Sequence, residues 1–418
     1  MTTKITEKNI SSLSNFGVDW QAVIVADGST ATSVEAGKGY FIDTTSNAHT
    51  VTLPSSPNAG DTIAIKDYAG TFASNNLTIG RNGHNIQGVA NDSLISTNRA
   101  SLLLVYVDST KGWLFTDEHN VADLQAANFT AATGGTVTES GDFKIHSFTG
   151  DGCFVVSTAG NSPVVPAGGP GNVDYLVVAG GGSGGSQSGQ GGTGGGGAGG
   201  YRTTFPSPGC NAGAFPIAVQ TYPITVGGGG STAGNGTNGS NSVFSTITSA
   251  GGGYGGIYPS ASSVGGPGGS GGGGGARENG GPGAGGSGNT PPTSPSQGNS
   301  GGSTSSTDPG NNSSSGGGGA AGGGSAGGTN GGNAGAGSPN TITGSNVSYA
   351  GGGGGGTRFG PTAGSGGAGG GGAGATGCGN SGTAGTVNTG GGGGGSGRGS
   401  ADGGVGGSGI VIIRYKFQ

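Results

Sequence analysis

The residues that could do chemistry in this chain are few and scattered. His49, His84, His119 and His146 lie far apart, and no two have the spacing that would put both on one metal ion. Cys153, Cys210 and Cys378 form no CxxC pair, so neither a zinc site nor a disulfide framework is indicated, and they read as buried or idle thiols. Between residues 180 and 409 the only charged side chains are Arg202, Arg277, Arg358, Arg398, Glu278, Asp308 and Asp402. A glycosidase pair of carboxylates would have to be assembled from distant residues, and nothing in the sequence points to one. The pattern GxGxxG recurs only because glycine is abundant, without the βαβ context or the lysine that would give it meaning. The chain is therefore expected not to be an enzyme and to hold no metal and no cofactor.

Recognition is the chemistry left. Polar and aromatic islands interrupt the glycine tracts, and Tyr254, Tyr258, Arg277, Asn279, Arg358 and Phe359 stand in them with few aliphatic neighbours in sequence. Flat aromatic faces among Ser, Thr, Asn and Gly suit adaptable binding of the kind antibody loops provide. These six are the candidate receptor-binding residues. The competing role for each is structural, a small plug closing the end of the glycine region. Because such loops hold few charges, attachment through them is expected to depend weakly on salt.

Composition narrows the partners. Only 8% of residues are charged and the formal net charge is -5, so nothing resembles the clustered Lys and Arg that nucleic acid requires. No apolar run reaches the roughly 18 residues of a membrane span, and the N-terminus lacks the apolar core of a signal peptide. The expectation is a protein made in a cytoplasm that does not insert into membranes.

The elements that must position the islands fall into four segments. Residues 1–17 are polar. Residues 18–118 read as a β domain of sandwich or prism type: alternation in "HTVTLP", "DTIAIKD" and "NNLTIG" pairs Val51 with Leu53, Ile63 with Ile65 and Leu77 with Ile79 on one face. "SLLLVYV" reads as a strand buried on both sides. Residues 119–178 form a connector and second β segment, with a short helix expected around Ala122 to Ala127. Residues 179–418 are the glycine-rich domain, closed by a strand over 410–417. The expected class is all-β.

Of 418 residues, 112 are Gly and 18 Pro, a share that ordinarily marks low complexity. Three structures compete for the glycine tracts: a flexible coil, a collagen helix and a bundle of extended threefold helices. Collagen fails, because glycines here are consecutive and the runs hold little proline. A threefold helix has no internal hydrogen bonds and points its amides outward in three directions, where neighbours can meet them only if no Cβ intervenes. Runs of eight to ten residues, rising about 3.1 Å each, give rods of roughly 25–30 Å. Ordering a residue costs about 1–2 kcal/mol and a hydrogen bond returns about 0.5–1.5 kcal/mol net, so one glycine helix does not hold alone. A bundle holds if it bonds laterally and is tied down. The apolar strands "DYLVVA" and "GIVIIRYKF" are expected to be the ties, with "TYPITV" and "SVFSTIT" at the same end.

The ordered landmarks "FTGDGCFVVSTAG", "VDYLVVAGGGSGG", "YPITVGGGG", "SVFSTITSAGGG" and "GGSGIVIIRYKF" over residues 140–418 closely resemble the glycine-rich domain of bacteriophage tail-fibre and adhesin proteins, notably of marine and cyanobacterial phages. The resemblance implies a polyglycine-II bundle with receptor-binding loops at one end, a homotrimer, and docking to other tail or neck proteins through the N-terminus. It implies a virion protein, assembled in the host cytoplasm, that meets a host surface glycan or outer-membrane protein. The alternative is a purely structural neck, capsid or adaptor fibre. No binding residue transfers from the resemblance, since the islands share no motif with those adhesins.

Overall fold

The computed structural model describes residues 17–118, 123–124, 128–161, 169–186, 191–205, 215–233, 236–258, 263–276, 283–304 and 313–418. The described residues hold several β-sheets and no α-helix, and none of the sheets closes into a barrel. The expected all-β class holds. The docking segment, apart from Gly17, lies outside the described residues. So does most of the expected helix at 122–127, of which Asp123–Leu124 is a short strand instead. The chain divides into two units: one of residues 1–128 with 161–169, and one of 129–160 with 170–418.

In the first unit the chain shuttles between two sheets. Lys38–Asp43 and Thr62–Asp67 lie parallel in one, with Asp19–Trp20 and Ile24–Val25 at its edge. Thr32–Ser33, His49–Thr52 and Leu77–Gly80 lie parallel in the other. Antiparallel strands then follow on each: Ser101–Asp108 and Gly112–Glu118 on the first, Ser93–Ile95 on the second. A coil of parallel rungs thus builds what alternation alone presents as a sandwich. Val51, Leu53, Ile63, Ile65, Leu77 and Ile79 all enter one core with Phe72 and Trp113, as their spacing predicts. "SLLLVYV" departs from expectation. Leu102, Leu104 and Tyr106 face the core, while Leu103 and Val105 are half-buried and Val107 is exposed, because only one face of that strand is covered.

The second unit is closed by the two apolar strands at the ends of the glycine region. Asn172–Val178 pairs antiparallel with Ile410–Lys416, which pairs on its other side with Phe143–Phe148. A second sheet, Ala131–Thr133, Gly152–Thr158, Thr221–Thr225, Ser242–Phe244 and Ile247–Ser249, supplies a further layer. Tyr175, Val177, Val411, Ile413 and Tyr415 pack with Phe154, Tyr222 and Phe244. The alternate residues Leu176, Val178 and Ile412 pack with Ile145, Ile342 and Tyr349. Burial on both faces explains why these strands read as unbroken apolar runs. Each such side chain contributes about 1.5–3 kcal/mol when fully buried. His146 sits inside this clamp, with Nδ1 2.7 Å from the Gly134 carbonyl oxygen and Nε2 3.1 Å from the Tyr415 hydroxyl. Burial pushes its pKa below the ordinary histidine value.

From the clamp the glycine runs extend as an ordered lattice. Gly194, Gly197 and Gly200 donate N–H bonds of 2.7–2.8 Å to Gly256, Gly253 and Ala250. Gly195 and Ala198 donate to Ser315 and Gly318, and Gly196 and Gly199 to Gly393 and Gly390. The partner changes at each residue and returns at every third, which is the signature of a threefold helix. The carbonyls obey the same period: Ala179, Gly182 and Gly185 donate to Gly200, Gly197 and Gly194; Ser270 and Gly273 donate to Ala198 and Gly195; Gly353 and Gly356 donate to Gly196 and Thr193. The run 191–200 therefore has six neighbouring runs, donating to three and accepting from three, and every one of its residues is buried. A Cβ at Gly194 would fall on the carbonyl oxygen of Gly273, at Gly195 on that of Gly353, and at Gly196 on that of Gly182. Each approach lies inside the 3.0 Å within which real Cβ atoms are essentially never found. The glycines are there because the neighbouring backbones occupy the side-chain space.

Candidate recognition tip

Hydrogen-bond register locates the end of the lattice opposite the clamp. Thr193 and Gly194 lie level with Gly185, Gly256, Gly356 and Ser396 through their backbone bonds. The residues just beyond that level, around 258, 357–361, 377–380 and 397–401, are thus the turns of the far end. Bridges tie these turns together: Thr357 pairs with Ser313 and Thr376, and Cys378 with Arg398.

Beneath the turns lies a floor of buried hydroxyls. The Thr193 Oγ1 accepts the Ser396 N–H at 2.7 Å and lies 3.1 Å from the Ser396 Oγ. Ser314 Oγ donates to the Gly192 carbonyl at 2.6 Å. Thr357 Oγ1 lies 2.9 Å from Ser313 Oγ and accepts the Gly360 N–H at 2.8 Å, which closes the loop that carries Phe359. These side chains replace lattice bonds where the helices end, so that few buried polar groups are left over.

Phe359 is 56% exposed on this floor. The Arg358 guanidinium lies 4.5 Å from its ring centre and that of Arg398 lies 5.1 Å from it. An arginine over an aromatic face contributes about 0.5–1 kcal/mol at an exposed site, enough to hold the three side chains as one group. Cys378, a free and exposed thiol, belongs to the strand bridge with Arg398. The arrangement offers an exposed aromatic ring with two cations against it. Among the described residues no group of three His, Cys, Asp or Glu side chains converges.

The structure brings together Arg358 and Phe359 of the six candidate residues. Tyr258 is at the same end but only 5% exposed, its ring filling the space a Cβ at Gly191 would need, as a plug does. Tyr254 lies short of the tip on the run 250–257, half-buried, with its backbone N–H donated to Asn238 Oδ1 at 3.0 Å and its ring against Gly266. Arg277 and Asn279 lie outside the described residues. Arg398 completes the group without having been singled out: its setting, "GSGRGS", has no aromatic neighbour in sequence. The one available signal was its position just after a glycine run, matching that of Arg358. Cys153 and Cys378 are free and exposed, and Cys210 lies outside the described residues.

A lattice of glycine helices closed by a two-faced β clamp, with its turns gathered at the opposite end, defines an all-β glycine-rich architecture. Residues 156–416, well over half the chain, match the family described as the glycine-rich domain, and the chain belongs to that family. Comparison with curated proteins finds no match.

Proposed function

We propose that this chain is a bacteriophage tail-fibre adhesin that attaches the virion to the host-cell surface through the turns at the far end of its glycine lattice. The supporting observation is the exposed Phe359, its ring against the guanidiniums of Arg358 and Arg398 on a hydrogen-bonded floor. An aromatic ring 56% exposed and fixed by two arginines at the end of the lattice is a surface a ligand can meet. In this proposal the protein works as a homotrimer, docks to other tail or neck proteins through residues 1–17, and meets a host glycan or outer-membrane protein with its tip. No binding step needs a cofactor or a covalent reaction.

One observation favours the structural alternative, a neck, capsid or adaptor fibre without a receptor. Tyr258 is buried as a cap, and a fully capped end needs no ligand. Virions carrying Gly/Ser in place of residues 358–361 separate the two. The adhesin reading expects intact particles that fail to adsorb to host cells. Unchanged adsorption would leave the structural reading standing.

A further inference from the structure

We infer that residues 131–140 form an acid-released strap, latched to the clamp by one pair of side chains, His146 in its Nδ1–H tautomer and Tyr415. The strap links the two sheets of the second unit. Ala131–Thr133 is an edge strand of one and Thr136–Ser140 an edge strand of the other. Gly134 and Gly135, both at positive φ, turn the corner between them, where a Cβ would meet the carbonyl oxygens of Cys153 and Ser147. Side chains hold this segment poorly. Ala131, Thr133 and residues 136–139 are exposed, and Ala132 packs on the core only as a half-buried methyl.

Polar bonds hold it instead. A bulge between Ala131 and Ala132 shifts the register against Gly152–Thr158. There the Ala132 N–H is donated to the Tyr415 hydroxyl at 3.1 Å. The Gly134 carbonyl lies 2.7 Å from His146 Nδ1. A carbonyl only accepts, so Nδ1 carries the proton, and Nε2 of the neutral ring accepts the Tyr415 O–H at 3.1 Å. One relay runs from the Ala132 N–H through Tyr415 and His146 to the Gly134 carbonyl. Both of its ends are strap backbone.

Acid breaks the relay. A proton on Nε2 turns it into a donor, and the Tyr415 hydroxyl must swing toward the Ala132 carbonyl, 3.5 Å away. The cation is then enclosed by Phe154 and Tyr415, whose ring centres lie 5.1 and 5.5 Å from its own. The titratable groups around it supply no counter-charge. Tyr175, Tyr222 and Tyr415 belong to the surrounding core. Lys144, on the same strand, is itself a cation and pairs with the strap's exposed Glu139 at 3.8 Å, while Lys416 pairs with Asp142. Asp151 accepts the Val226 N–H. Among the described residues the one buried carboxylate is that of Asp67, in the first unit. An unpaired buried charge is costly, and lifting the strap from Nδ1 returns the ring to water.

The test uses the full-length protein with nitrogen-15-labelled histidine. At pH 7.5 the ring whose signal is missing from His146→Gln should show the Nδ1–H tautomer, and it should titrate below the ordinary 6.5. Amide exchange, corrected for intrinsic rates, should be faster in the strap than in Ile410–Lys416 at every pH. Strap protection should fall about tenfold per pH unit from pH 6.5 toward the folded value of the ring, the dependence of a local opening that takes up one proton. That slope should vanish in His146→Gln. Should this variant not fold, Tyr415→Phe identifies the ring by its shifted signal, and it should cost the strap severalfold more protection than the clamp at pH 7.5. An Nε2–H tautomer, equal protection of strap and clamp, a slope that survives in His146→Gln, or equal losses in Tyr415→Phe overturns the inference.

Discussion

Val178 and Ile410 face each other as direct partners across the antiparallel strands Asn172–Val178 and Ile410–Lys416. One is the last strand residue before the glycine region and the other the first after it. The region between them leaves the sheet after Val178 and rejoins it for good at Ile410, with Tyr201–Thr203 pairing on the other side of the Asn172–Val178 strand along the way. Ordering glycine costs more than ordering any other residue, and this pair shows how the cost is met: the ends of the excursion are held by a core with apolar packing on both faces.

Weakening the clamp should loosen the lattice. Ile412 is fully buried, and Ile412→Ala is expected to cost about 2–5 kcal/mol, the range for large-to-small core changes. Chemical denaturation should show the loss, together with faster proteolysis within the glycine region. Faster proteolysis confined to the clamp would mean that the lattice stands without it.

Glycine substitutions should divide sharply by position. At Gly195 a Cβ meets the Gly353 carbonyl oxygen and at Gly271 that of Gly286, whereas nothing lies within 4 Å of a Cβ at Gly228. Gly195→Val and Gly271→Val separate neighbouring backbones and leave amides unpaired, each at about 1–3 kcal/mol. Gly228→Ala should stay within about 0.5 kcal/mol of the parent. Thermal unfolding of the three variants measures the contrast.

Acid should destabilise the clamp through His146. Burial lowers its folded pKa below the unfolded value of 6.5. Folding therefore favours the neutral ring, and the folded state holds fewer protons than the unfolded one. His146 contributes fully above about pH 6.5, and its contribution declines as the pH falls through the depressed folded value. His49 in the first unit, also lowered by burial, acts with the same sign. Tm measured from pH 8 to pH 5 should fall, and should fall less in His146→Gln once that variant's own loss at pH 8 is subtracted. Parallel Tm curves for the two proteins would count against this.

Much of the fold was legible in the residue pattern. Unbroken apolar runs at 175–179 and 410–413 mark strands covered on both faces, and consecutive glycines with almost no charge mark a packed lattice. Alternation in the first unit named its core correctly, but very short strands carry no record of parallel or antiparallel pairing, so the coil of rungs was not visible. "SLLLVYV" misled because apolar residues can stand on a half-covered face. At the tip, hydrogen-bond register decides which residue of a run ends level with which. Register places Tyr254 on the wall, Tyr258 inside and Arg398 beside Phe359, and nothing local to those residues encodes it.

Amide hydrogen exchange across residues 194–200 tests the lattice most directly. Each N–H there is donated to a backbone carbonyl on one of three neighbouring runs, and the segment is fully buried. Protection should persist for hours and match that of the clamp strand Ile410–Lys416, since both open only when the unit unfolds. Exchange at the rate of a free glycine coil while the clamp strand stays protected would contradict the lattice.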